Sequence, residues 1–117
     1  MNDTIIKSLT GKVDFTKVEH VEVASTTNTG STVWYYIAVF VRSGTGQVVH
    51  VINLLKTELS SPDTTHWRAV AHVEITPAHA GRCWAKILKP GSGLRARHDL
   101  AKSLWTAITG KPHPHDV

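Results

Sequence analysis

Three features of the sequence predict an α+β domain built as an N-terminal β-hairpin, an antiparallel five-stranded meander sheet and a C-terminal α-helix. Strand-length runs rich in Val, Ile, Thr and aromatic residues follow one another with turn residues between them. One stretch near the C-terminus has apolar residues recurring at three and four. The 117 residues suit a single core, which excludes a two-domain enzyme. Residues 1–117 therefore read as one domain, with the hairpin over 1–17, the sheet over 18–89, the helix over 93–109 and a tail over 110–117.

Residues 4–9 and 12–16 are short runs separated by Thr10-Gly11, the pattern of a small hairpin. Residues 19–25 alternate, with Val21 and Val23 opposed to His20 and Glu22, and the polar stretch 26–31 supplies a turn. Residues 32–42 (TVWYYIAVFVR) are β-branched and aromatic on both faces, as a central strand buried on both sides would be. Ser43-Gly44-Thr45-Gly46 is a tight connection to the partner strand over 47–58, and a loop with Ser60-Ser61-Pro62-Asp63 follows. Over 67–75, Trp67, Ala69, Ala71, Val73 and Ile75 alternate with Arg68, Val70, His72 and Glu74, which predicts a half-buried strand.

Residues 77–89 read two ways. As a helix, Thr76 caps it, Pro77 takes the first position and Ala80, Trp84, Ile87 and Leu88 form a stripe. As a strand, residues 77–81 are the hairpin loop and Arg82, Trp84 and Lys86 share one face. The strand is preferred, because Gly81 costs a helix interior about 1 kcal/mol and the segment before Pro90 is short. Leu94, Ala101, Leu104, Trp105 and Ile108, with Leu100 beside them, make the apolar stripe of the one clear helix, which Gly110 and Pro112 end. The tail is polar and expected to be loose.

This layout leaves apolar surface uncovered. A helix of 16 residues is about 24 Å long and ~10 Å wide, whereas five strands span roughly 20–24 Å. One such helix cannot cover a face of that sheet, so a second copy of the chain is expected to complete it, leaving the other face for function.

Composition excludes several classes. With 41% apolar and 19% charged residues the chain is no disordered segment, and the lone Cys83 forms no internal disulfide. The longest apolar run, residues 33–41, is about half the roughly 20 residues a spanning helix needs, so no membrane partner is expected. Residues 1–11 carry Asp3 and no long apolar stretch, so no secretory signal is expected either. Charge is uneven: residues 1–76 carry net −1 and residues 77–117 net +5. A basic C-terminal third within a chain of pI near 9.5 points to a polyanionic partner, most often nucleic acid.

Candidate chemistry is sparse. His20/Glu22 and His72/Glu74 each place a His and a Glu on one strand face and could converge on a metal, but cross-strand pairs of these types are far commoner, so no metal is expected. No nucleophile motif or phosphate-binding P-loop occurs, which argues against an enzyme and against a cofactor or small-molecule substrate. Pro90-Gly91-Ser92-Gly93 before a basic helix reads as a loop more readily than as a phosphate seat. More suggestive is a basic set on the sheet: Arg68 and His72 with Arg82, Lys86 and the aromatic Trp84, beside His50 and Lys56 on the preceding strand. Cations interleaved with an aromatic suit phosphate contact and base stacking.

The order of elements, with Asp3-Thr4-Ile5-Ile6 opening the hairpin, His66-Trp67-Arg68 and Val73-Glu74-Ile75-Thr76-Pro77 bounding a strand, and Asp99-Leu100-Ala101-Lys102-Ser103-Leu104 in the helix, resembles the coat proteins of single-stranded RNA bacteriophages, the levivirus group. The resemblance covers nearly the whole chain in layout and scattered short stretches in residues. It implies an intertwined homodimer whose helices pack over the partner's sheet, bringing Leu94, Leu100, Ala101, Leu104, Trp105 and Ile108 to the dimer interface. It further implies an icosahedral shell in the virion, assembled in the bacterial cytoplasm, whose inner sheet face binds viral RNA and a hairpin operator that represses translation. His50, Lys56, Arg68, His72, Arg82, Trp84 and Lys86 are the matching candidates for RNA contact. Family members often carry a second C-terminal helix, whereas here Gly110, Pro112 and Pro114 leave only a tail; either that helix is lost, or residues 77–89 are helical and the sheet is one strand smaller, an outcome that would count against the resemblance. The alternatives are a small non-capsid nucleic-acid-binding protein and, third, a protein-binding inhibitor or immunity protein.

Overall fold

The computed structural model describes residues 2–26, 32–44, 46–58, 65–87, 94–96 and 98–114. The N-terminal segment is a helix, α1 (Asn2–Leu9), in place of the expected hairpin. Thr4-Ile5-Ile6 has strand-like composition, but Ile5 and Leu9 stand four apart on one helical face, both fully buried, with Ile6 packed beside them. Thr10-Gly11, read as a hairpin turn, is the helix's C-terminal cap. The Thr10 N–H donates to the Ile6 carbonyl at 2.9 Å, and the Lys12 and Val13 N–H groups both reach the Leu9 carbonyl. Gly11 takes a φ of +83°, which suits glycine at a helix end as well as in a hairpin.

A 3-10 turn (Phe15–Lys17), capped by the Asp14 carboxylate, leads into the sheet. Strands β1 (Val18–Thr26), β2 (Thr32–Ser43), β3 (Gly46–Glu58) and β4 (Thr65–Ile75) form an antiparallel meander, as the alternation and turn residues predict. Ser43 pairs with Gly46 across the β2–β3 connection, where Gly44 has a φ of +55°.

The expected fifth strand of the meander does not form: Pro77–Ile87 is a helix, α2. Thr76 caps it, its Oγ1 accepting from the His79 N–H at 3.2 Å and its carbonyl from the Ala80 N–H at 2.9 Å. Gly81 sits on the exposed side, so its cost of about 1 kcal/mol is offset by a cap of similar size and by burial of Ala80. Thr76→Ala is accordingly expected to lower stability by about 1 kcal/mol. A thermal or denaturant midpoint equal to that of the parent protein would remove this account of the helix.

Leu94–Ala96, expected to open the last helix, is instead a short strand, β5, pairing with β1 through Ala24↔Ala96 and Thr26↔Leu94. The order across the sheet is β4-β3-β2-β1-β5. The last helix, α3, spans His98–Thr109 and ends where expected, with Gly110 at φ +71° and its N–H on the Thr106 carbonyl at 2.8 Å. The tail is held as far as His113. Trp105 Nε1 donates to the Pro112 carbonyl at 3.3 Å, and the His113 ring meets the Trp105 ring edge-on.

Both α1 and α3 lie on one face of the sheet. Val21, Val23, Tyr35, Ile37, Val39, Ile52 and Leu54 form its core with Ile5 and Leu9 of α1 and Ala101, Leu104 and Ile108 of α3. The expectation that a single helix must leave this face bare is therefore corrected: α1 supplies the missing cover from within the chain. On the opposite face α2 covers one end, where Ala80 packs on Ala38 and Val49 beside Phe40, Val51 and Ile75.

Candidate nucleic-acid interface

The expected RNA-contacting residues do not share a face. His50, Lys56 and His72 lie on the side covered by α1 and α3, Arg68 lies on the other side, and Arg82 is exposed on α2. Trp84 and Lys86 also fall in α2, not in a strand, and their side chains lie outside the described residues, as does the Pro90-Gly91-Ser92-Gly93 turn. Within β4, the cause of the split between Arg68 and His72 is a β-bulge. Asn53 pairs with Ala71 but Leu54 with Ala69, so Val70 is an extra residue in β4 and the alternation changes phase there. Trp67 thus meets Tyr35 edge-on at 5.1 Å on the helix-covered side, while Ala71, Val73 and Ile75 turn to the other. Strict alternation, the basis of the sequence reading, places Trp67 and Ile75 together and Arg68 with His72.

The expected interface residues of the last helix also find partners within the chain. Ala101, Leu104 and Ile108 are buried in its own core, and Leu100 and Trp105 pack against that core half-buried. Leu94 belongs to β5, where its backbone pairs with Thr26.

On the face opposite α1 and α3, the part of β2, β3 and β4 away from α2 is open among the described residues. Register aligns Trp34, Leu55 and Arg68 in one row across the three strands and Tyr36, Asn53 and Ala71 in the next. Trp34, Tyr36, Asn53 and Leu55 are half-buried and Arg68 is exposed. With strands about 4.8 Å apart, this patch sets two aromatic side chains, a primary amide and a guanidinium within one nucleotide's reach. Aromatic surfaces stack bases, an amide reads base edges and a guanidinium binds phosphate. At the β1 side the His20 imidazole pairs with the Glu22 carboxylate at 3.0 Å and lies against Phe40.

Sequence reasoning missed Trp34, Tyr36 and Asn53. The signal was present: Trp34 and Tyr36 alternate with Tyr35 and Ile37, but an apolar run on both faces of β2 reads as wholly buried.

His20/Glu22 and His72/Glu74 do not converge, since β2 and β3 separate them and they occupy opposite faces. Among the described residues no group of three or more His, Cys, Asp or Glu side chains is placed to hold a metal. On the covered side His50 Nδ1 and His72 Nε2 are 3.0 Å apart, with the rings stacked at 5.2 Å. Burial holds both imidazoles below the ordinary histidine value, the nearby Lys12 charge adding to the effect and Glu74 opposing it.

Among the described residues no helix is long and apolar enough to cross a membrane. No protein-family model, curated protein or solved structure matches this chain.

Proposed function

We propose that the chain is the coat protein of a single-stranded RNA bacteriophage: a non-enzymatic protein that dimerises, closes into an icosahedral shell in the virion and holds viral RNA, including a hairpin operator, on its sheet. The observation that carries this reading is the two-sidedness of the sheet, one face roofed by α1 and α3 and the other presenting Trp34, Tyr36, Asn53 and Arg68. A net charge of +4 and the short strings that resemble that family's add support. The hairpin and fifth meander strand of the family layout are replaced by α1 and α2, so the reading rests on the meander, the last helix and the open face.

Dimerisation is supported by β4. It is one of the two edge strands, its far edge is unpaired among the described residues, and Val70 and Val73 are 46% and 50% exposed. It contains neither Pro nor Lys, and its Val70 bulge leaves residues 71–75 as a regular edge for pairing. Antiparallel pairing of two β4 strands about a two-fold axis would join the sheets, with the helices on one side and the open faces on the other.

A second reading, a small nucleic-acid-binding protein that stays monomeric or dimeric, is favoured by one observation: α1 and α3 of a single chain already cover its core. Chromatography with light scattering and electron microscopy of the expressed protein separates the two. Closed particles holding nuclease-protected RNA are expected, and small RNA-binding species would establish the second reading instead. Val73→Lys, a charge on the proposed seam, is expected to abolish particles and leave folded monomers by circular dichroism. Particles that persist in this variant would place the seam elsewhere.

A further inference from the structure

We propose that the stacked His50–His72 pair is an acid-operated latch on β4: protonation of both rings releases the edge strand from β3. His50 is 4% exposed and sits directly beside its counterpart, Nδ1 to Nε2 at 3.0 Å. In the neutral pair one ring's N–H donates and the other ring's nitrogen accepts. A first proton is tolerated, because an imidazolium can donate to the remaining neutral ring through a charge-assisted hydrogen bond. A second proton leaves two cations with no acceptor between them, one of them out of water.

The charged groups acting on the pair come from both sides. Lys12, in the turn after α1, adds positive charge, and Glu74, which pairs with His50 in the β3–β4 register, offsets part of it. Toward β2, His50 faces Val39, which cannot titrate. With both folded-state values lowered, the unfolded chain binds more protons in acid. The pair's contribution to stability is therefore complete above about pH 6.5 and is lost as pH falls through the lower folded-state values.

The strand affected is one of the two at the edge of the sheet. Among the described residues β4 pairs with β3 alone, and the Val70 bulge interrupts its ladder two residues from His72. Opening there would also loosen the assembly, a consequence that rests on the β4 seam proposed above, whereas the latch itself does not.

Hydrogen exchange of the full chain at pH 7.5 and 5.0, corrected for intrinsic rates, tests the latch. Protection of β4 is expected to fall by severalfold or more between the two pH values, while β1 and β2 keep theirs. His72→Gln, which retains a donor toward His50 but cannot charge, is expected to abolish the fall, and His50→Gln serves if that variant does not fold. A β4 protection unchanged with pH in the parent, or the same fall in the variants, overturns the latch. Sedimentation at both pH values judges the consequence separately: a monomer at pH 7.5 removes the seam and leaves the latch to the exchange data. A dimer that survives at pH 5.0 despite released β4 amides removes the link between them.

Discussion

Leu104→Ala is expected to destabilise the protein by about 3 kcal/mol, within the 2–5 kcal/mol typical of truncating a buried leucine. Leu104 is fully buried on α3, flanked by Ala101 and Ile108 on the same helical face and packed toward the β1 side of the sheet. Little can collapse into the space it leaves, because Val21 and Val23 are short and fixed in a strand. For a domain of this size the unfolding midpoint should drop by roughly 12 °C. The loss bears on assembly as well as on stability. Measured together with Val73→Lys, which removes the proposed seam, it persists if α3 covers its own sheet. A loss that vanishes in that background would mean that α3 packs on a partner's sheet, the intertwined arrangement implied by the family resemblance.

The meander was legible because its signals are local and redundant: β-branched runs for β2 and β3, and turn residues between them. The end of α3 was equally plain from Gly110 and Pro112. The helices missed share a cause. In α1 and α2 the composition favours a strand, or at least weakens a helix, and capping with a few buried contacts decides otherwise. Ile5 and Leu9 are worth more on a common face above the sheet than Thr4-Ile5-Ile6 loses in propensity, and Thr76 with Pro77 outweighs Gly81. The shared face expected for the candidate residues of the strands was misread for a different reason. A single inserted residue, Val70, exchanges the faces of everything beyond it, and a bulge is set by long-range pairing that leaves no mark on local pattern.

That exchange of faces makes RNA binding the sharpest test of which side of the sheet functions. Trp34→Leu keeps apolar bulk at a half-buried position but removes the ring, and is expected to weaken single-stranded RNA binding by about 1–3 kcal/mol per base stacked there. That corresponds to roughly 5- to 150-fold in affinity. Arg68→Ala, in the same row of the sheet, should reduce the slope of log affinity against log salt by about 0.7, the share of one phosphate contact on a single strand. Lys56→Ala is the counter-test. Lys56 shares the helix-covered face with Trp67 and stands over its ring at 5.6 Å, so its removal should leave the affinity within about twofold. Fluorescence anisotropy with a labelled hairpin over a salt series reads all three. If Lys56→Ala and His72→Gln cost more than Trp34→Leu and Arg68→Ala, RNA lies on the side roofed by the helices. α1 would then have to move aside for binding, because it packs against the same core that Trp67 joins.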